Sequence, residues 1–168
     1  GGNFSPFPFA GIDYLFGSIS SEKDPTTEEL RVLKVGMRMY NRWLADIVSV
    51  EPDRFVGVAH IPYWDPDACL NEVRFAKESG LSSVLLPPPR IGFVEYDRPE
   101  WNSVWSACAD LNMPLQTHLG ATVPGQFTTY MKEPSPKYWG AISAMEGARW
   151  QNYRGMHRMI FGGVFERY

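Results

Sequence analysis

The sequence is poor in cysteine and histidine, and its charges do not gather into blocks of one sign. Its two cysteines, Cys69 and Cys108, fall in segments that read as amphipathic helices. There they are expected as buried free thiols rather than a disulfide or a metal pair, which implies a reducing, cytoplasmic setting. The 16 basic and 19 acidic residues leave a formal charge of −3 without a basic stripe, which argues against a nucleic-acid partner. No apolar run is long enough to span a bilayer, so the reading is a soluble protein with no membrane partner. The three histidines, His60, His118 and His157, form no H-x-H or HExxH, and no GxSxG, P-loop or GxGxxG occurs. Gly162-Gly163 is too small a signal for a phosphate cradle. These absences remove the common local signatures and leave small-molecule chemistry as the expectation.

What is present is the composition of a globular domain: 44% hydrophobic, 21% charged and 14% aromatic residues over 168 positions. A chain of this length can bury about two thirds of its unfolded surface in one core, so residues 1–168 are read as a single domain. The chain opens on Gly1-Gly2-Asn3 rather than methionine, shows no signal-peptide pattern and stops just after an apolar, helix-like patch. Both ends therefore read as cut, and the domain as partial.

The aromatic and proline-rich residues 1–20 suit a loop over apolar surface. Thr26 and Glu29 have the spacing of a capping box. Leu30, Leu33, Met37, Tyr40, Leu44 and Ile47 then recur every three or four positions, predicting a helix over about 27–49. "RFVGVAHIP" (54–62) is a short apolar run without a hydrophilic face, as in a parallel strand covered by helices. Asp65 and Pro66 then start a helix with the stripe Cys69, Val73 and Ala76, and Gly80 stands where a C-terminal cap belongs. "LSSVLLPPP" (81–89) predicts a second strand. Asp97 and Pro99 open a helix with the stripe Trp101, Val104, Trp105, Cys108 and Leu111, ended by Asn112, and "PLQTHLG" supplies a third strand. A Gly-, Pro- and Thr-rich loop (120–140), a helix near 141–160 and "MIFGGVFERY" complete the chain. Alternation of strand and helix argues for right-handed crossovers and a parallel sheet, either open and doubly wound or part of an eight-stranded barrel.

In such folds chemistry collects at the carboxyl ends of strands. His118 lies there, and alternation puts it on one face with Gln116, against Leu115, Thr117 and Leu119 on the other. A neutral imidazole on a rigid strand suits zinc or a similar divalent ion, yet spacing alone favours a histidine that only hydrogen-bonds the backbone. His60 reads as structural, and His157 as surface or core filling on a helix.

The ordered segments "YNRWLADIVSVEPDRFVGVAHIPYWDPDACLNEV", "GLSSVLLPP", "YDRPEWNSVWSACADLNMPLQTHLG" and "MIFGGVFERY" resemble the amidohydrolase-related family that includes aminocarboxymuconate-semialdehyde decarboxylase and the resorcylate-type decarboxylases. The resemblance runs from Thr26 to Tyr168. It implies an α/β fold that is part of a (β/α)8 TIM-type barrel, with the three strands as the third to fifth. It also implies one divalent metal ion, commonly zinc, and hydrolysis or nonoxidative decarboxylation of a small organic acid. His118 falls on the family's metal-binding histidine of the fifth strand, which turns the reading of that residue to metal ligand. The first-strand His-x-His, the sixth-strand histidine and the eighth-strand aspartate would lie outside this chain. Trp64 and Trp139, with Phe127 and Tyr130, are candidates to cover a planar substrate, with barrel-loop filling as the other reading. Homo-oligomerisation fits open sheet edges. The alternative function is a noncatalytic scaffold or interaction fragment lacking most metal ligands.

Overall fold

The computed structural model describes residues 26–87, 93–117 and 153–168. The first helix, α1 (Thr27–Val50), begins at the expected capping box: Thr26 Oγ1 accepts from the Glu29 amide, and the Glu29 carboxylate accepts from the Thr26 amide at 2.6 Å. Two donors that the first turn leaves orphaned are thereby satisfied. Its buried side is Leu33, Gly36, Met37, Asn41, Ala45 and Val48. Hydrophobicity alone chose Tyr40, Leu44 and Ile47 for that stripe. The structure rotates it, leaving Ile47 exposed and seating the polar Asn41 in the middle, because Asn41 binds main chain that the core would otherwise strand.

Three short parallel strands follow, β1 (Val58–His60), β2 (Ser83–Leu86) and β3 (Leu115–Thr117), in the spatial order β1-β2-β3. Ala59 pairs with Val84 and Val84 with Leu115; His60 pairs with Leu85 and Leu85 with Gln116. The strands are shorter than the apolar runs that predicted them. Phe55 and Val56 are exposed outside the sheet, and Ile61-Pro62 already turns away, with the Tyr63 amide bonding back to the Ile61 carbonyl. The β1–β2 crossover carries α2 (Pro66–Glu78). Asp65 caps it by accepting from the Ala68 amide, Pro66 sits in its first turn, and Gly80 ends it at φ +81°, a conformation that costs a side-chain-bearing residue strain.

The β2–β3 crossover begins with a 3-10 turn (Pro99–Trp101) that runs into α3 (Asn102–Asp110). Asp97 does not cap this helix as expected; the position before Pro99 is Arg98, with no side-chain cap bond. Aromatic contacts fix the turn instead. Tyr96 meets Trp101 and Trp105 edge-on, those two indoles stack at 5.3 Å, and their N–H groups donate to the Val94 and Tyr96 carbonyls. Asn112 ends the segment at φ +51°, one of the few side chains that tolerate this region. Helical residues 153–161 (α4) and Val164–Arg167 (α5) close the chain. Residues 141–152 of the expected last helix lie outside the described residues.

Helices α2 and α3 and the C-terminal α4 and α5 cover one face of the sheet. Ala59, Ile61, Val84 and Leu86 join Cys69, Val73 and Ala76 of α2, Val104, Trp105 and Cys108 of α3, and Met159 and Val164 in one core. Each large side chain buried there contributes about 1.5–3 kcal/mol of transfer free energy. Val58, His60, Ser83, Leu85 and Gln116 alternate onto the opposite face. A parallel wall with helices on one side and a polar-edged inner face is the construction unit of a barrel.

Candidate active site at the strand carboxyl ends

β1, β2 and β3 run in the same direction, so their carboxyl ends and the loops after them lie at one rim. Of the expected site residues, His118 and Trp139 fall outside the described residues, as do Phe127 and Tyr130. The register does place Gln116, two positions before His118, on the face away from the helices, and Leu115 on the helix side against the core. Trp64 follows β1 at the rim, half-buried; it meets Tyr63 edge-on at 5.6 Å and rests against the core. Tyr63 in turn meets Phe93. Tyr96, from the loop after β2, donates its hydroxyl to the Pro87 carbonyl at 2.7 Å and so pins that loop to the strand end.

His60 sits at the last position of β1 and is buried. Asn41 holds it by the main chain: the Asn41 carboxamide accepts from the His60 amide and donates to the His60 carbonyl, both at 2.8 Å. The Gly57 carbonyl, just before β1, accepts from the Ser82 amide on the β2 side, so by alternation the His60 peptide groups face the outer edge. Asn41 therefore does at this edge what a neighbouring strand's peptide would do. The same carboxamide donates to Glu72 Oε1 at 2.7 Å, and Glu72, buried on α2, is paired through its other oxygen with Arg38 Nε at 2.7 Å. An Arg–Glu–Asn chain thus ties α1 and α2 to the carboxyl end of β1, each bond within ordinary hydrogen-bond range. The His60 ring packs edge-on against Tyr40 at 5.0 Å. Burial holds its pKa down, from 6.5 to about 4, so the imidazole is neutral near pH 7.

Sequence reasoning treated His60 as structural and did not see the Asn41–Glu72–Arg38 chain. The signal was there in part: Asn41 interrupts the apolar stripe of α1, and Glu72 adjoins Val73 on the buried side of α2. Both cysteines are free and buried as expected, and burial pushes the Cys69 thiol up and that of Cys108 to about 11. His157 is a half-buried helix residue stacked near Tyr153.

Cavities also open beside the helices. A cavity of about 420 Å³ is lined by Trp105, Cys108, Met113, Leu115, Met159 and Phe165, on the helix side of the sheet. A second, of about 410 Å³, lies beside Asp97, Arg154, Arg158 and Gly162. There Glu95 accepts from Arg154, and Arg158 approaches both Glu95 and Asp97, joining α4 to the loop after β2. Among the described residues no three His, Cys, Asp or Glu side chains gather as a metal site. Nor, among them, is any helix long and apolar enough to cross a membrane.

Comparison with known proteins agrees with this architecture. The Amidohydrolase family profile matches residues 21–168, and the chain belongs to that family. It is 26% identical over 128 residues to 2-amino-3-carboxymuconate-6-semialdehyde decarboxylase of Dictyostelium discoideum, covering 76% of this chain and 33% of the relative. It is 25% identical over 134 residues to gamma-resorcylate decarboxylase of Rhizobium sp. (strain MTP-10005), covering 74% and 40%. The chain thus spans about a third to two fifths of the length of these curated relatives. Among solved structures it is similar to 2,6-dihydroxybenzoate decarboxylase from Rhizobium, with a TM-score of 0.64, 22% identity and coverage of 82% of this chain and 43% of that one. A dihydroxybenzoic acid decarboxylase from Polaromonas sp. JS666, with bound manganese and the inhibitor 2-nitroresorcinol, gives a TM-score of 0.57 at 22% identity over 83% and 42%. The fold is accordingly that of the family's TIM-type barrel, of which the parallel wall described above forms part.

Proposed function

We propose that the protein is a metal-dependent enzyme that decarboxylates a small, aromatic or unsaturated organic acid, with hydrolysis of a related acid derivative as the other reaction of the same site. The observation that carries this reading is the family match through residues 21–168, with two decarboxylases among the curated relatives. The three strands are read as the third to fifth of the barrel, within one domain over residues 1–168, and His118 as a metal ligand at the carboxyl end of β3. Gln116, preceding it on the inner face, supports that orientation. Zinc is one choice of ion; the manganese in a structural neighbour makes the reading a divalent metal rather than zinc in particular. When bound, such an ion supplies Lewis acidity toward a substrate carboxylate or hydroxyl.

The described residues do not themselves form a metal-ligand set, so no reaction step is assigned to them through the ion. Their part is to hold the rim rigid: Tyr96 pins the loop after β2, and Asn41 pins the end of β1. Trp64 and Trp139 are proposed to cover a planar substrate. A cytoplasmic location and a homo-oligomer, whose copies would cover the open sheet edges, complete the reading.

The test is His118→Ala, with metal content read by elemental analysis and carbon dioxide release read on 2,6-dihydroxybenzoate. Metal stoichiometry and turnover are expected to fall together, since losing one of a few ligands weakens the whole site. Unchanged metal stoichiometry removes His118 from the ligand set.

A further inference from the structure

We propose that the cavity between α4 and the loop after β2 binds a free α-amino acid with an aromatic side chain, its ammonium group on Asp97 and its carboxylate on Arg158. The assignment stands on this cavity alone and does not rest on the reaction proposed above. Asp97, Arg154, His157, Arg158, Phe161 and Gly162 line a space of about 410 Å³, within the range of about 300–1,000 Å³ usual for small-molecule pockets. Two carboxylate oxygens here are shut off from solvent and accept no hydrogen bond: Asp97 Oδ1 on the cavity wall, and Glu95 Oε2 two positions before it in the loop. Buried acceptors, charged ones above all, are costly to leave unmet, and native structures ordinarily give them a partner. The cation beside them does not supply it. Arg158 Nε stands 3.9 Å from Glu95 Oε2, and Arg158 Nη1 stands 3.7 Å from Asp97 Oδ2, both beyond hydrogen-bond length. The Arg158 side chain is 43% exposed, so its N–H donors are open to a ligand entering the cavity. Gly162 sets this spacing, since a Cβ there would fall 2.4 Å from Asp97 Cβ and push α4 away from the loop.

The chemistry of the ligand follows from the charges. Glu95 and Asp97 balance Arg154 and Arg158, so the site as a whole is neutral and fits a zwitterion better than a net charge of either sign. An unmet carboxylate oxygen calls for a donor, and an ammonium group offers three. A guanidinium with open N–H groups calls for a carboxylate, which it holds by charge-assisted hydrogen bonds. The two demands stand 3.7 Å apart, which suits the single carbon atom that separates ammonium from carboxylate in an α-amino acid. Two arginines on the same wall repel a bare metal cation, and an acid without an ammonium group leaves Asp97 unmet. Phe161, on the same side of α4 and 88% exposed, lies 6.4 Å from the His157 ring, and together they offer flat surface for an aromatic side chain.

The experiment titrates three probes into the full chain, followed by NMR, in EDTA so that no bound metal contributes: L-phenylalanine, phenethylamine, which lacks the carboxylate, and 3-phenylpropanoate, which lacks the ammonium group. L-Phenylalanine is expected to bind wild type with a dissociation constant below about 1 mM, and each of the other two at least about tenfold more weakly, the size of one charge-assisted hydrogen bond. Asp97→Asn, which keeps the shape and removes the charge, is expected to weaken L-phenylalanine about tenfold without weakening 3-phenylpropanoate. Arg158→Gln is expected to weaken L-phenylalanine by a similar factor without weakening phenethylamine. Unfolding midpoints are recorded for each variant. A wild-type constant above about 1 mM for L-phenylalanine, equal binding of the three probes, or a folded variant that binds L-phenylalanine as wild type does overturns the assignment. The comparison of probes on wild type decides it even where a variant does not fold. Because the chain is free of metal throughout, failure here leaves the decarboxylase reading untouched.

Discussion

Asn41→Leu isolates the contribution of one carboxamide to this fold. Leucine has a similar shape and no polar atoms, so the substitution removes three buried hydrogen bonds: two at 2.8 Å to the His60 main chain and one at 2.7 Å to Glu72. The His60 N–H and C=O lose their partner at an edge where, among the described residues, no strand replaces it. Each buried main-chain group left unpaired costs about 1–3 kcal/mol. Glu72 keeps Arg38, so its share is smaller, and the added methyl groups return about 1 kcal/mol of burial. The net loss expected is roughly 3–4 kcal/mol, a large part of the 5–15 kcal/mol that holds a typical domain together. With a urea slope near 2 kcal/mol per molar, the midpoint should fall by about 1.5–2 M. Urea unfolding followed by tryptophan fluorescence measures it directly, since Trp101 and Trp105 are buried. A midpoint within about 0.3 M of wild type, at unchanged slope, would refute the claim that Asn41 substitutes for a neighbouring strand.

Gly162→Ala tests a close approach rather than a hydrogen bond. A methyl group there would lie 2.4 Å from Asp97 Cβ and 2.7 Å from the Arg158 carbonyl, so α4 must shift away from the loop after β2. A loss of about 1–3 kcal/mol is expected, read as a lowered unfolding midpoint, and a neutral result would show that this contact yields freely. His60 predicts the acid limb of stability. Its folded pKa, near 4, lies below the ordinary 6.5, so the unfolded chain takes up the proton first. The contribution is therefore full above pH 6.5 and is lost as pH falls toward 4, by roughly 3 kcal/mol at most. Urea midpoints measured at intervals from pH 7 to pH 4 should show this fall in wild type and a flatter profile in His60→Gln; parallel profiles would rule His60 out as its source.

Much of the local structure is written in short stretches of chain. Thr26 and Glu29 specify the start of α1, and Asp65 and Pro66 that of α2, because capping is decided by residues within one helical turn. Gly80 and Asn112 mark stops for the equally local reason that the backbone there has positive φ. The alternation of apolar runs and helical stripes made parallel strands joined by crossovers readable, while the order β1-β2-β3 was implied by the family resemblance. Periodicity located α1 but not its inner seam. It ranks residues by hydrophobicity, and Asn41 is buried for the opposite reason, to satisfy peptide groups on a strand many positions away. Likewise no local pattern pairs Glu72 with Arg38 and Asn41, which only the packing of the two helices brings beside it. Local sequence thus determined where α1 and α2 begin and which residues could carry chemistry. Only the tertiary structure decided which polar groups are partnered and which remain free, because that depends on contacts between elements that no local pattern encodes.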